Sequence, residues 1–80
     1  MSVTIKFFAV YRDLMGRSEV TLDVSAGRTV ASLYKQLLGD QVDPRLREVT
    51  LFAVNEQYAP ADTAVRDGDR VAFIPPVSGG

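Results

Sequence analysis

The chain has 80 residues, nine Lys and Arg against ten Asp and Glu, and 46% hydrophobic residues. That suffices for one domain with one modest core, leaves no room for a second, and is too apolar for a disordered chain. There is no Cys and no His, which excludes thiol nucleophiles, disulfides, imidazole bases and zinc-finger ligand sets.

The charges are scattered, with no basic stripe to suggest a nucleic-acid partner and no acidic tail. Apolar runs fall far short of a membrane span, and no charged-then-apolar signal segment opens the chain. The expectation is a soluble cytoplasmic protein without a membrane partner.

Residues 3–10 read as a first strand, with Val3, Ile5, Phe7 and Ala9 on the core side and Thr4, Lys6, Phe8 and Val10 on the other. Tyr11 to Met15 predicts a short connection of one helical turn, ended by Gly16, with Leu14 inward and Arg12 in solvent. Glu19 to Val24 alternates polar and apolar, giving a second strand that pairs with the first across a loop too long for a two-residue turn.

Thr29 is placed as a helix N-cap. After it, Val30, Leu33, Tyr34, Leu37 and Leu38 fall at i, i+3, i+4, i+7 and i+8, the apolar stripe of a helix lying on a sheet. Gly39 stands where a left-handed residue closes such a helix, and a charge at Leu37 is expected to be among the most damaging changes.

Residues 40–48 are irregular, with one turn beginning at Pro44. A third strand covers 49–54, Asn55-Glu56 forms a turn, Gln57-Tyr58 a short strand, and 59–66 a loop containing Pro60. Asp67-Gly68 is a tight-turn signal. Residues 70–74 form the last strand, with Val71 and Phe73 facing the helix and Ala72 and Ile74 facing away.

One amphipathic helix covering one face of a mixed sheet is an α+β arrangement. With the first and last strands side by side and parallel, it becomes the ubiquitin-like β-grasp. The domain then covers residues 1–74, and residues 75–80 form an extended tail.

That tail, Pro75-Pro76-Val77-Ser78-Gly79-Gly80, is the most informative stretch. Two prolines stiffen the exit from the last strand. The terminal glycines lack a Cβ and can pass a gap closed to other residues. Extended at ~3.3 Å per residue, the segment could hold its carboxylate roughly 20 Å from the body.

Conventional sites are missing. Asp67-Gly68-Asp69 has too few oxygens in register for a cation cage and reads as a turn. Ser78 has no base partner, Lys6 and Lys35 are solvated, and no metal site is expected. Phe8 and Ile74 project together from the uncovered face near the tail. They form either a small second core under the Tyr58 loop or a docking patch rimmed by Arg12.

Three stretches resemble the small subunit of molybdopterin synthase: FFAVYRD at 7–13 with Gly16, Val54-Asn55, and DGDRVAFIPPVSGG at 67–80. Together they span the chain in order, and the terminal block is highly specific. Tyr11 and Ile74 depart from the pattern at positions expected to tolerate variation. The sulfur carrier of thiamin synthesis and ubiquitin share the fold and the Gly-Gly, but not the Pro-Pro-Val-Ser approach.

The resemblance implies that an adenylating enzyme uses ATP and Mg to activate the terminal carboxylate. A persulfide sulfur donor then leaves a thiocarboxylate on Gly80. The tail, through Pro75, Pro76, Val77, Ser78 and Gly79, enters a pocket of the synthase large subunit and gives its sulfur to cyclic pyranopterin monophosphate, forming the molybdopterin dithiolene. Phe8, Arg12, Phe73 and Ile74 are implied at the partner surface, with Phe73 assigned to the core by its periodicity. No cofactor is implied on this chain. A carrier for thiamin, cysteine or tRNA thiolation, a ubiquitin-type modifier and an interaction module with an unmodified tail are the alternatives.

Overall fold

A computed structural model describes residues 1–76. The elements are β1 (Ser2–Phe7), α1 (Val10–Met15), β2 (Glu19–Asp23), α2 (Val30–Leu38), α3 (Pro44–Val49), β3 (Leu51–Val54), β4 (Gln57–Ala59) and β5 (Arg70–Ile74). The strands form one mixed sheet in the order β2-β1-β5-β3-β4. The central pair, β1 and β5, runs parallel, with Phe7 beside Phe73, and the remaining pairings are antiparallel. This is the expected ubiquitin-like β-grasp.

Register places Val3, Ile5 and Phe7 of β1 on the same face as Val20, Leu22, Phe52, Val71 and Phe73. Ile5 pairs with both Val20 and Val71, and Phe52 with Phe73. On that face α2 lays Val30, Leu33, Tyr34 and Leu38, all buried. Phe73 is wholly buried at the centre of an aromatic cluster. Its ring lies 5.1 Å from Tyr34, 5.5 Å from Phe52, 6.1 Å from Phe7 and 6.2 Å from Tyr11.

The start of α2 is doubly secured. The Thr29 hydroxyl accepts from the Ser32 N–H, and the Ser32 hydroxyl accepts from the Thr29 N–H, a capping box with serine in the return position. The next two amide donors, Val30 and Ala31, reach the carbonyls of Thr63 and Ala61. The 60–66 loop is therefore pinned to the helix it follows in space, and Val65 is buried beneath it. At α3, Asp43 accepts from the Arg45 N–H and side chain, which holds its carboxyl below the usual range.

Several expectations need correction. The first strand stops at Phe7, because Ala9 adopts φ +48° and the chain turns into α1. Ala9 is exposed accordingly. Leu14 is exposed as well; the inward residue of α1 is Tyr11, and i+4 spacing sets Met15 beneath it. Val49 belongs to α3 and is exposed, so β3 starts at Leu51. Leu37 is only partly buried, whereas Leu33 and Leu38 are fully enclosed. Gly39 has the expected positive φ of +52°, but its ψ of −128° lies outside the left-handed helical region.

Tyr11 also anchors a buried hydroxyl chain. Thr50 has one hydroxyl proton and gives it to the Leu46 carbonyl, 2.7 Å away. Tyr11 must therefore donate to Thr50, and Tyr34, 2.8 Å from the Tyr11 oxygen, must donate to Tyr11. The chain ties α1, α2 and the α3–β3 junction together.

Burial, then the hydrogen bond to Tyr11, push the Tyr34 hydroxyl far above its ordinary value of 10.0. A raised pKa favours the neutral folded form, so its contribution is complete below the unfolded value and is lost as pH rises toward the folded one. Stability should therefore fall above about pH 10. Denaturant melts of Tyr34→Phe across that range should show a shallower alkaline decline; an unchanged slope refutes the assignment.

Candidate functional site

Alternation along β1 and β5 turns a second set of side chains to the face that α2 leaves uncovered. Near β2 this face is polar, with the Thr4 and Thr21 hydroxyls 3.3 Å apart. Toward the end of β5 it becomes apolar. Phe8, Tyr58, Ala72 and Ile74, with Lys6 and Arg70, line a shallow groove of about 380 Å³. Leu51, paired with Ile74, extends the apolar surface and is more than half exposed.

Phe8 is 45% exposed and Tyr58 74%. The Tyr58 loop thus leaves Phe8 open and builds no second core over it. Ile74 is half-buried on the same surface, one residue before Pro75. The groove consequently ends where the chain leaves the sheet. Pro75 is partly buried and Pro76 exposed. Val77, Ser78, Gly79 and Gly80, the expected arm, lie outside the described residues.

Arg12 is exposed on α1, as expected, but does not line the groove; its cations are Lys6 and Arg70, with Glu56 the one carboxylate. Phe73 is withdrawn from the surface altogether, because its odd position on β5 points it under α2. It supports Ile74 and Ala72 from beneath. Tyr58 and Leu51 were not singled out in the sequence as part of this surface. Pairing of Tyr58 with Ala53, itself paired with Ala72, carries Tyr58 to the groove, and that depends on a strand order alternation does not reveal.

The carboxylates of the 67–69 turn serve the backbone. Asp67 accepts from the Ser2 N–H at 2.6 Å, while Asp69 accepts from the Arg66 N–H and the Asn55 side chain. Gly68 occupies φ +86°, where a side chain would be strained. Among the described residues no cluster of acidic side chains could hold a metal ion, and no helix is long and apolar enough to cross a membrane. The groove combines apolar walls with Lys6, Arg70 and Glu56, a lining suited to contact with another surface.

Residues 5–80 match the ThiS family. The whole chain aligns at 41% identity with 99% of a molybdopterin synthase sulfur carrier subunit from Mycobacterium tuberculosis. It aligns at 36% with the full length of one from Chlamydomonas reinhardtii. Among solved structures it is similar to SAMP1, a small archaeal modifier protein from Haloferax volcanii, at 28% identity and a TM-score of 0.84 with both chains fully covered.

Proposed function

The chain belongs to the ThiS family, and from that membership we propose that it is a sulfur carrier, the small subunit of a molybdopterin synthase whose working group is the carboxylate of Gly80. The full-length likeness to two sulfur carrier subunits supports the reading. The observation that carries it is the placement of an open apolar groove at the end of a central strand, directly before Pro75-Pro76. A partner seated on Phe8, Tyr58 and Ile74 would have the chain's end delivered beside its own surface.

The chemistry follows from what this chain lacks and what its terminus offers. A carboxylate oxygen of Gly80 attacks the α-phosphorus of ATP on an activating enzyme, which uses Mg, and releases pyrophosphate. The terminal sulfur of a donor persulfide then displaces AMP from the acyl carbon. Reductive cleavage of the resulting S–S bond by a thiol leaves the thiocarboxylate. Sulfur held in this way is nucleophilic without any Cys in the carrier. The large subunit supplies the groups that pass it to cyclic pyranopterin monophosphate, and two such transfers complete the dithiolene. Gly79 keeps the approach narrow, and Pro75, Pro76, Val77 and Ser78 carry the end into the pocket.

Intact-mass analysis tests the proposal. After incubation with ATP, the activating enzyme and a persulfide donor, one terminal oxygen should be exchanged for sulfur. An unchanged mass with every activating enzyme encoded beside the carrier sinks the reading. The likeness to SAMP1 favours one second reading, a protein modifier; it would appear as higher-mass conjugates on lysines of other proteins.

Phe8→Asp should weaken binding of the synthase large subunit by about 2 kcal/mol or more, as loss of a central aromatic anchor does. The same change should cost the free domain less than about 1 kcal/mol, because the ring is half in water. Calorimetric titration and thermal melts separate the two effects. A variant that unfolds while its residual folded fraction binds normally contradicts the docking role.

A further inference from the structure

The opposite side of the sheet carries a second groove of different character. It measures about 480 Å³ and lies between α2 and α3, lined by Tyr34, Lys35, Gly39, Val42, Pro44 and Arg47. Its walls are largely apolar, and Arg47 lies against the aromatic rings beneath it. The guanidinium carbon sits 4.7 Å from the Phe52 ring centre and 5.4 Å from that of Tyr34. Two aromatic faces therefore hold it in place by cation–π attraction.

Stacking of this kind uses the face of a guanidinium and leaves its edge, where the N–H donors point. Among the described residues the Arg47 side chain makes neither a hydrogen bond nor an ion pair. Arg45, two residues earlier, spends its charge on Asp43 at 3.0 Å. Lys35 is exposed on the same groove and, among the described residues, makes no ion pair, while Asp40 is the carboxylate lining it. The balance at the groove is thus positive, and one of its two cations is already immobilised. A fork held in position loses little freedom when it meets a carboxylate, the group whose geometry it matches.

We propose that this groove is a second docking site, and that its occupant is an acidic-apolar segment of a partner protein: a carboxylate side chain on the Arg47 fork, with an adjoining apolar side chain between Tyr34, Val42 and Pro44. The site is separate from the Phe8 groove, because Tyr34 and Phe52 lie on the face of the sheet opposite Ala72 and Ile74. Both surfaces can then be occupied together, so a partner working at the carboxyl end need not be released before another is held. The inference goes beyond the sulfur-carrier reading and involves no residue of the tail, so either can fail alone.

The test is a nitrogen-15 chemical-shift titration of the full chain with a capped peptide alternating glutamate and leucine, with its glutamine counterpart as control. The acidic peptide should give saturable shifts at Lys35, Gly39, Val42 and Arg47 and leave Phe8 and Ile74 unmoved. The glutamine peptide should bind about tenfold more weakly, as should Arg47→Met with the acidic peptide, since each removes a charge-assisted pair. Arg47→Lys, which keeps the charge but not the fork, should fall between. That variant also decides the matter if Arg47→Met fails to fold. Equal binding of the two peptides, shifts centred on Phe8, or no saturation with either overturns the proposal.

Discussion

Deletion of Gly80 should abolish sulfur loading and leave the thermal unfolding of the domain where it is. The first half follows from the proposed chemistry: the activating enzyme must place one carboxylate against ATP, and shortening the arm by a residue withdraws it by ~3.3 Å. A misplacement of even about 1 Å can cost a hundredfold in rate. The second half follows from the core, whose buried members among the described residues run from Val3 to Phe73. Intact-mass analysis after an activation reaction and differential scanning calorimetry read the two halves independently. A truncated chain that still accepts sulfur would place the working carbonyl elsewhere. A markedly lower melting temperature would show that the last residue belongs to the folded body.

The second large effect is the reverse case, stability lost with the chemistry intact. Phe73→Ala should destabilise the domain by about 3–5 kcal/mol, the usual cost of emptying a buried aromatic site. Domains commonly have only about 5–15 kcal/mol of stability in all, so the variant should be partly unfolded at physiological temperature. The reason is its position: four aromatic rings contact Phe73 from β1, α1, α2 and β3, and no single neighbour can fill the void. Leu37, which periodicity places among the most damaging sites for a charge, is only partly buried, and a charge there can reach water. Urea denaturation of both variants should rank Phe73→Ala well below Leu37→Asp, and the opposite order would contradict this account of the core.

The contrast shows what one-dimensional periodicity can resolve. It marks the stripe of α2 correctly, since Val30, Leu33, Tyr34 and Leu38 are all buried. It does not say how the helix sits over five strands, and that placement decides which stripe member is sealed. The same holds at α1. Its helical turn and its closure at Gly16, in left-handed geometry, are readable from composition. The inward turn of Tyr11 is not, because its reason is a hydrogen-bond partner, Thr50, that lies 39 positions away.

The groove divides in the same manner. Phe8 and Ile74 share the uncovered face by strict alternation, and each is legible from its own strand. Their adjacency requires β1 and β5 to be parallel neighbours, and Tyr58 reaches them only through two further pairings. The docking-patch expectation puts Arg12 at the rim, but Arg12 does not line the groove, and Lys6 and Arg70 supply its cations.

By itself the sequence determined the local matters: which segments are strands, where α2 begins and is capped, and the Pro-Pro-Val-Ser-Gly-Gly stretch on which the proposed chemistry rests. Each of these rests on neighbours within a few positions, where side-chain spacing and backbone preference act directly. Only the tertiary structure decided that Phe73 is sealed, that Tyr58 lines the groove, and that Arg47 lies over the rings of Tyr34 and Phe52. Those outcomes depend on contacts between strands and helices far apart along the chain, and no short-range preference encodes the distance between them.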